Sequence, residues 1–215
     1  MRTLMIAVVS SMGLALSSGC FADAQHGKTE ATAIPGSTFV TTQAALRDLW
    51  VGHIFWVREV VRGIADNDAS ATEVAEGKAV ENAKQIAAAI EPFYGKSASD
   101  QLFTLLAGHY TAIKSHASAT VAGDSAKAKQ AFDQLAANAG EISVFLSKAN
   151  PYLPQQTLSS LLMAHGGHHV QQNQQFAKND AAGEARTWEA MKSHIYTISD
   201  ALVGALAKQF PDKFN

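Results

Sequence analysis

Leu49-Trp50-Val51-Gly52-His53 recurs 56 residues later as Leu105-Leu106-Ala107-Gly108-His109, and 56 residues after that as Leu161-Leu162-Met163-Ala164-His165. Asp68, Asp124 and Asp180 keep the same register, as do Asn82, Asn138 and His194, and then Ile86, Ile142 and Ile198. Four kinds of landmark holding one spacing through three copies define an internal repeat. Within the copies apolar residues recur at three and four spacing, as in Leu46, Leu49, Trp50, Trp56, Val57, Val60 and Ile64, which is the period of an amphipathic helix. Helix breakers stand at Asp66-Asn67-Asp68, Glu91-Pro92 to Gly95, Gly123-Asp124, Asn150-Pro151 to Pro154 and Asn179-Asp180. Ser70 with Glu73 and Ser97 with Asp100 have capping-box spacing, and Asp180 is placed to cap the last helix. The pattern predicts six helices, at 41–65, 71–91, 98–122, 125–149, 154–178 and 181–209, with no competing strand pattern. Each repeat is then a long αα-hairpin. The expected fold is all-α, an up-and-down six-helix bundle of three tandem hairpins over residues 41–215.

Every repeated histidine falls on the apolar face of its helix. His53 has Leu49 and Trp50 one turn before it and Trp56 and Val57 one turn after, and His109, His165 and His194 have equivalent neighbours. His53 is 15 residues before Asp68 and Asn82 is 14 after it, so the two stand at one level in an antiparallel hairpin. That level lies about 22 Å from the turn at 1.5 Å per residue. The same count pairs His109 with Asn138 and His165 with His194. All six helices therefore carry one polar residue at one height, with His168 and His169 close by and His116 two turns along its own helix. Six helices cannot all converge on one axis, so only some of these residues can share a site.

Buried polar side chains are costly unless paired, so such a layer requires a reason. One reading is a metal site. Neutral imidazoles from facing helices suit copper, zinc, nickel or iron, and bundle cores are common places for such centres. The candidate ligands are His53, His109, His165 and His194, with His168, His169 and His116 as accessories; spacings of three and four from His165 could set two nitrogens on one ion. Haem is a weaker form of the same idea. The other reading is a hydrogen-bonded His/Asn layer that only fixes helix register, in a structural or interaction module. The lack of a carboxylate on the stripe weighs toward register. An enzyme comes last: there is no Glu-x-x-His pair for a di-iron site, no Cys-x-x-Cys-His for covalent haem, and no serine with an evident base. Arg58 and Glu59 read as the solvated side of the first helix, and the tryptophans as core anchors.

The 215 residues are 47% apolar and 17% charged, enough for a buried core. A net charge of −2 supplies no basic field, which argues against nucleic acid as a partner. A single cysteine excludes an intrachain disulfide. Met1-Arg2 followed by the apolar run Leu4 to Leu16 reads as a signal peptide over 1–24, so an exported protein is expected, periplasmic or at the surface. Two processing routes are open. Leu16-Ser17-Ser18-Gly19-Cys20 approximates a lipoprotein box, which would lipidate Cys20 and give the protein its one contact with a membrane. Ala22-Asp23-Ala24 offers ordinary cleavage, releasing a chain that starts at Gln25. Residues 25–40 read as a flexible linker.

The stretch Leu49-Trp50-Val51-Gly52-His53-Ile54-Phe55-Trp56-Val57-Arg58, with Asn82, Ile90-Glu91-Pro92-Phe93-Tyr94-Gly95, Ala136 to Ile142, Asn150-Pro151-Tyr152 and the ending Lys208-Gln209-Phe210-Pro211-Asp212-Lys213-Phe214, resembles a group of small exported bacterial helical proteins. The similarity runs from Leu46 to Phe214. It implies an exported helical protein without an established activity. Some members carry glycosyltransferase or acetylglutamate kinase labels, for which this chain has neither a nucleotide-binding fold nor a metal-carboxylate motif. Members often have an acidic residue just before the histidines, where this chain has Gly52, Gly108 and Ala164.

Overall fold

The computed structural model describes residues 37–214. The expected signal peptide, Cys20 and most of the expected linker lie outside the described residues. Within them there is no strand. The long helices are α1 Ser37–Ala65, α2 Ala69–Ala89, α4 Lys96–Val121, α5 Ser125–Ala149, α6 Gln155–Ala177 and α7 Ala181–Gln209, with the single turn α3 Glu91–Tyr94 between α2 and α4 and a 3₁₀ turn Pro211–Lys213 at the end. None of these helices is long and apolar enough to cross a membrane.

The three hairpins are α1–α2, α4–α5 and α6–α7, and their turns are chemically alike. Asn67, Gly123 and Asn179, again 56 apart, adopt positive φ of 54°, 71° and 55°, which Asn and Gly tolerate best. The next amide in each case (Asp68, Asp124, Asp180) donates to a carbonyl five residues back, at 2.9 Å. Each of these aspartates then caps the following helix through its Oδ1, accepting from Ala71, Lys127 and Gly183 amides at 2.9, 3.0 and 2.8 Å. One residue pair thus ends one helix and begins the next, three times over.

The expected capping boxes are corrected here. Asp68 takes the place assigned to Ser70, which is exposed inside α2. The α4 helix begins at Lys96 after Gly95, whose φ of 80° suits glycine, so Ser97 is already within the helix and caps nothing. The first helix also starts at Ser37 rather than 41, shortening the expected linker. Phe39 packs 6.3 Å from the Phe214 ring, a contact between the first and last helical segments that local periodicity does not contain.

Packing closes the repeats into a ring. The first helices of the hairpins, α1, α4 and α6, touch one another, while α2 packs on α4, α5 on α6, and α7 back on α1. The fold is a six-helix bundle with approximate threefold order, three inner and three outer helices. Buried apolar residues lie on both sides of the histidine level. Val57, Val61, Ala112, Ile113, Ala117 and Leu135 fill the end nearer the Asp-capped turns. Leu46, Trp50, Ile86, Leu102, Leu106 and Leu206 belong to the other end. The repeated histidines lie between them.

Candidate metal centre

Because the first helices are the inner ones, the threefold order carries His53, His109 and His165 to one point. Their ring centroids lie 6.0, 5.6 and 5.6 Å apart, a near-equilateral triangle with one imidazole from each hairpin. His169, one turn further along α6, adds a fourth ring 4.6 Å from His165, and 5.9 and 6.0 Å from His53 and His109. None of the four is more than 5% exposed. One nitrogen from each falls within 4.8 Å of all the others.

This donor set fits a metal ion. The His165 and His169 Nε2 atoms are 3.2 Å apart. Two nitrogens bound tetrahedrally at 2.0–2.1 Å would stand roughly 3.4 Å apart, so that pair is already at chelating distance. The remaining nitrogens, within 4.8 Å of one another, need to close by up to about 1.4 Å, within the reach of χ rotations. The metal-free alternative leaves polar groups unpaired. Nδ1 of His165 and of His169 has no hydrogen-bond partner, and His109 has only the Asn138 side chain beside it. When both His165 and His169 are neutral, only one can donate Nε2–H to the other, and the acceptor ring must carry its proton on an Nδ1 that faces no acceptor. A buried donor without a partner costs about 1–3 kcal/mol, and an ion on both Nε2 atoms leaves both Nδ1–H groups in that state, so the cost falls on either form of the site.

The environment keeps all four rings neutral and therefore able to ligate. Burial holds His53 down to about 3, with the neighbouring His109 adding to the effect, and burial holds His109 down to about 4. Burial, reinforced by the surrounding imidazoles, puts His165 and His169 well below the ordinary histidine range.

The structure separates the other candidates from this cluster. Asn82 and Asn138 donate from Nδ2 to the carbonyls of Leu49 and Leu105, each at 3.0 Å, and His194 Nε2 donates to the Leu161 carbonyl at 2.9 Å. These three bonds are one interaction repeated at the 56-residue period. The outer half of the polar layer is therefore a hydrogen-bonded register device, and His194 belongs to it rather than to the ligand set. His168 faces α7, with its ring 5.4 Å from that of His194, because a step of three residues turns the side chain the opposite way from a step of four. His116 is buried elsewhere, where it accepts from Asn173 Nδ2 at 2.9 Å.

Gly52 and Gly108 make the register bonds possible. A Cβ at Gly52 would lie 2.9 Å from Asn82 Nδ2, and one at Gly108 3.1 Å from Asn138 Nδ2. Gly52→Ala should push Asn82 off the Leu49 carbonyl and lower stability by about 1 kcal/mol, more than its better helix propensity returns. The urea midpoint of the variant checks this, and the double variant with Asn82→Ala should recover part of the loss.

Sequence reasoning missed one further constellation. Arg58 is half-buried rather than on the solvated side. Its Nε and Nη2 donate to the two carboxylate oxygens of Glu184 at 2.5 and 2.6 Å, and its guanidinium lies 5.0 Å from the Trp188 ring centroid. Gln172 Nε2 donates to Glu184 Oε1 at 3.0 Å. Burial alone would raise the Glu184 carboxyl, but the hydrogen bonds and charge of Arg58 and the Gln172 amide hold it below its ordinary value. The pair ties α1 to α7 across the seam that closes the ring. An arginine among apolar neighbours near a helix end was the available signal, but its partner is 126 residues away.

No family model, curated protein or solved structure matches the chain.

Proposed function

We propose that the protein is an exported metal-binding protein whose centre is His53, His109, His165 and His169. The observation that carries the reading is the convergence of four buried, neutral imidazoles from three helices, with one nitrogen of each within 4.8 Å of all the others. Imidazole nitrogens suit copper, zinc, nickel and iron. No carboxylate joins the set, so nothing offsets the charge of the ion. The cost of burying an ion rises with the square of its charge, which favours copper(I) over the divalent ions in this site. Export comes from the leader-like sequence at 1–24.

Thermal melts of the purified protein with copper(I), zinc, nickel, iron(II) and a chelator test the assignment. A cation at 100 times its Kd adds about 2.7 kcal/mol, or roughly 5–10 °C in Tm for a chain of this size. The rise should be largest with copper(I), and His109→Gln and His169→Gln should abolish it while His194→Gln keeps it. Melts that no cation moves would overturn the reading.

The three side chain-to-carbonyl bonds favour a second reading, in which the whole layer serves register alone. On that reading His109→Leu stabilises the protein and no variant differs in its response to metal, so the same melts separate the two.

A further inference from the structure

The third hairpin departs from the other two just after its shared histidine. There the first copy reads Ile54-Phe55-Trp56-Val57 and the second Tyr110-Thr111-Ala112-Ile113, but the third reads Gly166-Gly167-His168-His169. On the facing helix the register position held by Asn82 and Asn138 is His194. Three histidines are thus special to this hairpin. His169 belongs to the centre, and the other two meet between α6 and α7 with ring centroids 5.4 Å apart. Both are half-buried, and the residues one turn before them, Ala164 and Ala190, are small and exposed.

This second pair has the geometry of a ligand pair. An imidazole centroid stands roughly 3.2 Å from an ion on its nitrogen, so two rings sharing one ion lie about 5–6 Å apart. A carbonyl only accepts, so His194 Nε2 donates to Leu161 and its Nδ1 lone pair is left for a ligand. Metal-binding histidines are commonly held in this way, with one ring nitrogen on a carbonyl and the other on the ion. Register does not require the imidazole, because Asn82 and Asn138 make the equivalent bond with an amide. Nδ1 of His168 is buried without a hydrogen-bond partner.

The pair also stands beside the centre. The carbonyl that His194 touches is the one that the His165 amide uses in the helix ladder, and His168 directly precedes His169. The approaches along the bundle offer an ion no ligand. Val57, Ile113 and Leu135 pack on the side of the Asp-capped turns, and on the other side of the triangle is an apolar cavity walled by residues such as Leu106, Ile142 and Leu202. A cation leaving water without ligands meets the full cost of a buried charge. At the α6–α7 side, in addition, the helix is built to yield. Consecutive glycines weaken a helix interior, and packing does not call for these two: a Cβ at Gly167 would meet nothing within 4 Å, and one at Gly166 would make an ordinary 3.4 Å contact with Leu135.

We propose that His168 and His194 form a capture site for a transition-metal cation, copper(I) on the reading above, and that the ion passes from them to the four-histidine centre as α6 flexes at Gly166-Gly167. The proposal rests on that reading for its destination. The ion keeps its charge throughout and exchanges the nitrogens of the pair for those of the centre.

Copper(I) exchange kinetics on the full chain test the passage. Delivery from the coloured copper(I)–bicinchoninate complex gives the loading rate, and return of the ion to excess bicinchoninate gives the removal rate. His168→Ala with His194→Asn gives the third hairpin the residues of the second, Ala112 and Asn138, and keeps a donor for the Leu161 carbonyl. It should slow loading and removal alike, on the order of tenfold or more, since the ion then crosses without ligands. His168→Gln alone serves if the double variant does not fold. Gly167→Ala should slow both by about fivefold, the factor by which alanine outweighs glycine in a helix interior. In the copper-loaded parent a further equivalent of copper(I) should shift the ring-proton NMR signals of His168 and His194. Exchange at the parent's rate in the variant that lacks the pair overturns the proposal while the centre stands, and so does excess copper(I) that leaves both rings' signals in place. Faster removal with unchanged loading would show that the pair only braces the centre, which also overturns it. A parent chain that takes up no copper(I) marks failure of the centre itself, and the passage falls with it.

Discussion

Lowering the pH from 7 to 4.5 should unfold the metal-free protein. The sign follows from where the protons go. The four core histidines titrate near 6.5 in the unfolded chain, while burial keeps His53 near 3 and His109 near 4 in the folded one, with His165 and His169 displaced the same way. Below 6.5 the unfolded state binds protons that the native state refuses, so stability falls with falling pH until the folded values are reached. Each such group loses about 1.4 kcal/mol per pH unit in that window. His53 and His109 alone remove roughly 5 kcal/mol by pH 4.5, and His165 and His169 add to it. Native domains hold only about 5–15 kcal/mol in total. Urea midpoints taken at half-unit steps should therefore drop steeply from about pH 6.5 downward. His109→Leu should flatten the slope by close to one proton. A profile level between pH 7 and 5 would mean that the rings are hydrated and titrate normally. Free imidazole protonates near pH 6.5, whereas these buried rings take up protons only as the bundle opens.

Glu184→Ala should cost about 3 kcal/mol, the second largest effect, because it leaves the Arg58 guanidinium between Trp188 and Phe176 with only its longer, 3.5 Å contact to Glu59. In a chain of this length that is roughly 6–12 °C in Tm. Glu184→Gln should cost less, since an amide oxygen still accepts one of the two bonds. The paired replacement Arg58→Met with Glu184→Leu should recover most of the loss, because removing both charges also removes their desolvation cost. The double-mutant cycle isolates the coupling. A Glu184→Ala variant as stable as the parent would show that the ion pair contributes nothing to closing the ring. Metal binding should be unchanged in the paired variant, since neither residue touches the four histidines.

The repeat, the all-helical class and the hairpin pairing are all present in the residue order. So is the height of the polar layer, because helix rise and turn position are both local quantities: the 15- and 14-residue counts about Asp68 put His53 and Asn82 level, and the Asn82–Leu49 bond is the result. The chain alone also contains the turn chemistry at Asn67-Asp68, Gly123-Asp124 and Asn179-Asp180. Periodicity says which face of a helix is buried, but it does not say against which neighbour. That depended on the ring closure of α7 on α1, which sent the first helix of every hairpin inward and the second outward. One consequence divided the levelled residues into an inner histidine triangle and an outer set bonded to carbonyls, with His194 in the second and His168 packed against it. Another admitted His169 and matched Arg58 with Glu184. The cavity beyond the triangle is likewise a property of three hairpins packed together, since a void belongs to no single helix and leaves no mark on the spacing of any one of them.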